Sequence, residues 1–353
     1  MKRSYLVAAI LVVFVLSTNL WSQVVVNPPV TGSITGSIDW VMVGDPGNRA
    51  DTTGDPNPVG AVADSFRIMK FEFQNSQYAD FLNAVDPSGT NPNAVYNANM
   101  GSNARGGISF TSGAASGSKY AIRTNMGDKP VNYVSWFDAA RVANWLQNGQ
   151  GSGSTETGAY TLVGGQTNGT APAVNSGASY LLPTEDQWYK AAYYKGGGTN
   201  AGYWDYATQS DSTPTAVTAG STGIGSSGST GNFANYNQGA DWNGQDGNVT
   251  TVGSNGGASA YGAFDMSGNI WEWNDFTGAA GSSRGLRGGD WFFDASALSS
   301  FGRITNDPED EISNVGFRLA SPVAVPEPST WVMAAGGLAC AGWGAWRRRR
   351  ARS

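Results

Sequence analysis

The sequence predicts an α+β domain with little regular secondary structure. Three observations carry that expectation. Glycine supplies 49 of the 353 residues and charged residues only 14%, a balance that favours loops and tight turns over long helices. Thirteen tryptophans offer large aromatic anchors for a core built on irregular backbone. Three segments still carry helix-start signals followed by helical apolar spacing, and a few short ones read as strands.

Phe66 to Phe73 alternates apolar and polar residues imperfectly and reads as a strand. Asn75 then offers a helix N-cap, and Tyr78, Phe81, Leu82 and Val85 recur at the spacing of one buried helical face. Pro87 stops that helix. The second starts at Ser135, with Asp138 three residues later in a capping-box-like arrangement. Phe137, Ala140, Val142, Trp145 and Leu146 form its apolar side, and Gly149 can end it. The third follows Pro183, with Thr184 as cap, Gln187 at N3, and Trp188, Ala191 and Ala192 facing inward. Gly149–Thr155 and Ala219–Gly231 are low-complexity and read as flexible surface loops. In the segment Asp265 to Trp273, Trp271 and Trp273 point to one side of an extended chain and Glu272 to the other. Arg287 to Trp291 predicts a strand with a Gly-Gly kink. Val315, Phe317 and Leu319 alternate inward, leaving Gly316 and Arg318 on the other face. Arg303 and Arg318 could hold an anionic ligand, but pairing with Asp307, Glu309, Asp310 or Glu311 is their expected use.

Both ends are set apart from residues 24–325. Lys2 and Arg3 precede the apolar run Tyr5–Leu16, so residues 1–23 read as a signal peptide cut near Ser22–Gln23, with an uncleaved anchor as the alternative. Pro326-Glu327-Pro328 precedes the apolar run Trp331–Trp346, and Arg347 to Arg350 follow. That run, as a helix, spans about 24 Å, just short of the hydrocarbon core, and flanking Trp and Arg could make up the difference. The arginines would stay cytoplasmic and place the main domain outside. This tail, residues 326–353, resembles the PEP-CTERM sorting signal of Gram-negative bacteria. The resemblance implies an exosortase partner, removal of the tail, and delivery to the cell surface or exopolymer matrix. A plain membrane anchor is the alternative.

Composition excludes several chemistries. The chain has no histidine, which removes Ser-His-Asp and Cys-His catalysis and His-ligated zinc or iron. Cys340, its single cysteine, lies in the apolar tail, so no intrachain disulfide can form. Seven of the 21 basic residues and one of the 27 acidic ones fall in the two ends. Residues 24–325 therefore carry 14 basic and 26 acidic side chains, a net charge of −12. That argues against nucleic-acid binding. It suits divalent cations, although a merely soluble acidic surface explains it equally well.

Five ordered motifs carry a wider resemblance. They are Lys70-Phe-Glu-Phe-Gln-Asn-Ser-Gln-Tyr78, Pro130-Val-Asn-Tyr-Val-Ser-Trp136 with Ala143-Asn-Trp-Leu146, Leu182-Pro-Thr-Glu-Asp-Gln-Trp188, the block Gly262 to Phe276, and Arg284 to Phe293 followed by Asn314 to Ala320. Together they resemble the formylglycine-generating-enzyme/sulfatase-modifying-factor family from about Ile38 to Ala320. The resemblance implies that family's compact variant of the C-type-lectin fold. Its oxidase members use two cysteines and copper to convert a substrate cysteine to formylglycine. Counted from Gly288-Gly289, those positions fall on Phe293 and Leu298, and neither side chain can bind copper or enter redox chemistry. Copper is therefore not expected, and neither iron nor zinc. The resemblance also implies calcium at Asp265, Gly268, Ile270 and Glu272, and a second calcium at Asn235, Tyr236, Asp246 and Asn248. Mixed carboxylate and carbonyl oxygens suit that hard cation. The alternative is that Asp265 and Glu272 only cap turns or pair with Arg287 or Arg318.

The expectation is an exported, calcium-stabilised surface or matrix protein, without formylglycine-generating activity, whose ligand is an exopolysaccharide or another surface protein. Trp242 and Phe292 would be stacking platforms for sugar rings. An enzyme with a chemistry free of Cys and His, or a structural surface-layer component, are the rival readings.

Overall fold

The computed structural model describes Ile34 and residues 38–323. The expected signal peptide, the sorting tail and the apolar run Trp331–Trp346 lie outside those residues. Among the described residues no helix is long and apolar enough to cross a membrane.

In chain order the elements are β1 (Trp40–Val43), β2 (Phe66–Met69), α1 (Asn75–Val85), α2 (Asn99–Ser102), β3 (Ile108–Phe110), β4 (Tyr120–Ile122), α3 (Trp136–Gln147) and α4 (Glu185–Tyr193). Then come β5 (Thr215–Ala216), β6 (Phe233–Ala234), β7 (Trp271–Asn274), β8 (Arg284–Arg287), β9 (Arg303–Asn306), β10 (Val315–Phe317) and β11 (Ala320–Pro322). One sheet has the order β1-β2-β11 and a second β10-β7-β8-β9; β3-β4 and β5-β6 form small pairs. β10 runs parallel to β7, and β8 runs antiparallel to both β7 and β9. The described residues thus form an α+β fold in which connecting segments carry most of the chain.

Local signals placed the helices well. In α3 the Ser135 hydroxyl accepts from Asp138 N at 3.1 Å, while the Asp138 carboxylate accepts from Ser135 N at 2.9 Å. In α4 Thr184 Oγ1 accepts from Gln187 N at 3.2 Å, and Gln187 Oε1 accepts from Thr184 N at 2.9 Å. Both reciprocal boxes satisfy donors that a helix N-terminus otherwise leaves open. The first helix departs from expectation by one residue. Gln74 is its cap, with Gln77 Oε1 accepting from Gln74 N at 2.9 Å. Asn75 is committed elsewhere: its amide donates to the carbonyls of Met126, Lys129 and Pro130.

Helix α3 is buried from Trp136 to Leu146, polar positions included. Arg141 pairs with Glu156 at 2.9 Å, and Asn144 Nδ2 donates to Thr155 O at 2.7 Å. The glycine-rich segment 149–155 is tied down in the same way, by Trp145 Nε1 on Gly151 O and Asn148 Nδ2 on Ser154 O. The segment Ala219–Gly231 is not a free loop either. Gly225 N donates to Ser254 Oγ and Thr251 N to Gly223 O, both at 2.8 Å. A Cβ on Gly225 would lie 2.4 Å from Ser254 O. Glycine is there for close backbone approach, which composition alone cannot distinguish from mobility.

The main core joins α1, α3, β7 and β10 through Phe81, Trp136, Trp145, Trp273 and Phe317, among others. A second cluster gathers Trp188, Tyr189 and Tyr193 of α4 with Phe66 and Ile68 of β2. Glycine is required at Gly316, where a Cβ would meet Val131 O at 2.4 Å.

Candidate functional site

Strand β7 carries the centre of the molecule. Both of its faces are buried, because Trp271 and Trp273 pack in the main core on one side and α4 lays Trp188 against Glu272 on the other, while β10 and β8 pair its two edges. Glu272 stands in register with Gly316, and Arg318, two residues beyond Gly316, reaches its carboxylate. Its Nε and Nη2 each donate to a Glu272 oxygen at 2.6 Å, and Trp188 Nε1 donates to Oε2 at 2.8 Å. Both charged side chains are 0% exposed. Burial works against the Arg318 charge, but Glu272 and then Glu72 and Asp265 outweigh it, and the guanidinium is held above its ordinary value.

Asp265 sits in the left-handed region with φ 56°. Its carboxylate accepts from Asn255 Nδ2 at 2.9 Å and from Gly253 N. Burial, chiefly, raises its proton affinity. A third acid, Glu72, which no motif in the sequence marks as a ligand, is fully buried beside this pair. Its carboxyl is pushed well above the usual range by burial first and then by Asp265, with Arg318 opposing. Asn269 Nδ2 donates to both Glu72 oxygens at 3.1 Å. One charged residue inside the apolar run of Phe71 to Phe73 was the available signal for Glu72.

Asn269 also joins the two groups of expected calcium ligands. Its backbone N donates to Asn235 O at 2.8 Å, and its side-chain oxygen accepts from Asn235 Nδ2 at 3.1 Å. Asn235 Nδ2 further donates to Asn248 O at 2.8 Å. A Cβ on Gly268 would lie 2.4 Å from Asn235 O. Asn235, Asn248, Gly268 and Asn269 therefore form one buried polar network. Asn235 Oδ1 is buried in it without a partner. Tyr236 and Asp246 turn away: the Tyr236 hydroxyl donates to Pro214 O at 2.6 Å, and Asp246 is exposed. Ile270 packs in an apolar cluster with Val249 and Trp291, and its N–H donates to Gly268 O at 2.9 Å. Among the described residues no three carboxylates converge on one ion position, so a cation here would need carbonyl and amide oxygens as well.

The Gly288-Gly289 kink follows β8, both residues at positive φ. A Cβ on Gly289 would meet Leu298 Cδ1 at 2.7 Å. Leu298 is wholly buried with Tyr206 and Ala234. Phe293 instead is 45% exposed and Phe292 48%. Asp290 holds this step, its Oδ1 accepting from the N–H groups of Phe292 and Phe293 at 2.9 Å. Phe293 meets Phe292 and Trp271 edge-on, at 5.4 and 6.3 Å. Phe292 is thus open to solvent. Trp242 is not: it is 6% exposed, bonded through Nε1 to Val249 O, with Lys129 over its ring. Neither arginine pairs with the acids of the 307–311 segment: Arg318 takes Glu272, the partner allowed for as the alternative to a cation cage, and Arg303 takes Glu185 at 3.3 Å.

Residues 36–323 match the family model described as sulfatase-modifying factor enzyme 1-like domain, and residues 324–350 the PEP-CTERM protein-sorting motif. A Bos taurus protein named "Inactive C-alpha-formylglycine-generating enzyme 2" is 27% identical over 210 residues, which is 57% of this chain and 64% of the relative. Its Mus musculus counterpart of the same name is 35% identical over 74 residues, 19% of this chain and 24% of the relative. The chain thus spans less than two thirds of these curated relatives. The crystal structure of CarF aligns with 81% of this chain and 99% of its own at 23% identity, with a TM-score of 0.50. That likeness concerns the fold, which is C-type-lectin-like.

Proposed function

The chain belongs to the sulfatase-modifying factor enzyme 1-like domain family and carries a PEP-CTERM sorting motif for export, and on that premise we propose that it is a calcium-stabilised binding protein of the cell surface or exopolymer matrix, not an oxidase. One observation carries the reading. Where the resemblance calls for two cysteines, the chain has a phenylalanine lying half exposed on the surface and a leucine sealed in the core. Neither can form a thiolate. The printed name of the bovine and murine relatives, inactive enzymes, agrees with it.

Calcium is supported by charge and by an open acceptor. Glu72, Asp265 and Glu272 are three buried acids against the single Arg318, and a divalent cation would offset the excess. The unpartnered Asn235 Oδ1 is one oxygen available to it. Glu272 would reach such an ion only by sharing its carboxylate with Arg318. At a hundredfold excess over Kd, calcium is expected to add about 2.7 kcal/mol to the stability of the chelator-treated protein, a rise of roughly 5 °C in Tm. An identical Tm in calcium and in chelator would overturn the metal part. Incubation with copper and a cysteine-containing peptide is expected to leave the peptide thiol unchanged, and an aldehyde product by mass spectrometry would overturn the non-oxidase part.

A further inference from the structure

A cleft of about 410 Å³ opens between residues 49–53 and residues 194–205, within the range of roughly 300–1,000 Å³ typical of small-molecule sites. It shares no lining residue with the Phe292–Phe293 step or the Glu272 centre. Its walls are braced across the mouth: Arg49 N donates to Thr199 O at 2.9 Å, and the Tyr203 hydroxyl donates to Arg49 O at 2.8 Å. Asp51 is used up inside it, accepting from Thr53 N and Oγ1 and from the Tyr189 hydroxyl. Trp204 forms a half-buried wall, its indole steadied by Lys195 Nζ at 4.0 Å from the ring centroid. What remains toward the opening is the Arg49 guanidinium, the Asn200 amide and the Asp205 carboxylate. None of these three side-chain groups has a hydrogen-bond or ion-pair partner among the described residues.

We propose that this cleft binds a neutral pyranose residue of a polysaccharide, with the sugar's C–H face on Trp204 and its hydroxyls shared among Arg49, Asn200 and Asp205. An indole wall takes an apolar ring face at little entropic cost. A carboxylate accepts two O–H donors, a guanidinium donates to hydroxyl oxygens, and an amide does both, which matches vicinal hydroxyls better than it matches a phosphate or a carboxylate. Two acids, Asp51 and Asp205, line the cleft against one arginine, so an anionic sugar is disfavoured. The inference deepens the surface-binding reading and rests on it, since it supplies that reading with a ligand class.

The test is calorimetric titration of the full-length chain with three neutral probes, maltotriose, cellotriose and chitotriose, and with tri-galacturonic acid. At least one neutral probe is expected to bind saturably, with the acidic one at least tenfold weaker. Trp204→Ala and the surface change Asp205→Asn should each weaken binding at least tenfold with Tm unchanged, and Val163→Ser, at an exposed residue outside the cleft lining, should leave it intact. No saccharide binding, or binding that both cleft variants retain, overturns the inference. Binding lost in Phe292→Ser but kept in the cleft variants also overturns it, yet leaves the surface-binding reading standing. The calcium and thiol experiments above decide that reading separately.

Discussion

At the scale of single residues, the Glu272–Arg318 pair is the most consequential contact in the domain. Two charges wholly out of water are tolerable only while each satisfies the other. Arg318→Met should therefore leave the Glu272 charge buried without its counter-ion, with only Trp188 Nε1 still donating to it, at a cost of about 3–5 kcal/mol in urea unfolding. Adding Glu272→Gln removes the orphaned charge and should recover much of the loss, which a double-mutant cycle would read as strong coupling. Equal losses that simply add would contradict the pairing. The sequence allowed for this pair as the alternative to a cation cage. It could not rank the two, because Glu272 and Arg318 meet only when β10 lies beside β7. Glu72 and Asn269 went unread for a related reason: each looks ordinary in its own segment, and only the packing places them between Asp265 and Asn235.

The elements divide according to how local their signals are. Ser135 and Thr184 close capping boxes within four residues of chain, so their helices were legible before any tertiary contact was known. Ser135→Ala should cost about 1 kcal/mol by chemical denaturation, the usual worth of an N-cap. The loss should fall toward the upper end of the range, since the Ser135 hydroxyl also bonds the Asp138 carboxylate at 2.8 Å. A loss below the error of the measurement would mean that packing of the buried helix holds it without the cap. The N-cap of α1 was misread by one residue because Asn75, a good cap by type, is claimed by three carbonyls of the 126–130 segment. The segment 219–231 is held for the same kind of reason, by partners at 251–255 further along the chain, whereas 149–155 is held by Trp145 and Asn148 close by.

For the molecule as a whole, buried acids set the response to pH. Glu311 carries a carboxyl raised to about 8, by burial first and then by the charge of Asp138 at the start of α3. Asn97 and Asp138 face it, with Arg141 one turn further along the helix. Asp275 is raised to about 7 by burial, with Arg284 and the Tyr160 hydroxyl opposing. In both cases the folded value lies above the unfolded one. Their stabilising contribution is thus complete below about pH 4 and is lost as pH rises through 7 to 8. Urea unfolding should show a domain more stable at pH 5 than at pH 8.5. Glu311→Gln should flatten that dependence by about one bound proton. An unchanged slope would place the sensitivity in Asp275 or in general repulsion among the 26 acids of residues 24–325.

The sequence by itself determined the starts of α3 and α4, the Gly-Gly kink, the family, and the absence of thiol and imidazole chemistry from the body of the chain. These depend on which residues are present and on neighbours within a turn or two. Only the tertiary structure decided that Arg318 serves Glu272 and Arg303 serves Glu185, that Trp242 is sealed while Phe292 is open, and that Phe293 is half exposed while Leu298 is buried. It alone assembled the Arg49–Trp204 cleft from segments about 150 positions apart. Exposure and ion pairing are properties of contacts between distant segments, and in a chain with so little regular structure no local period foretells them.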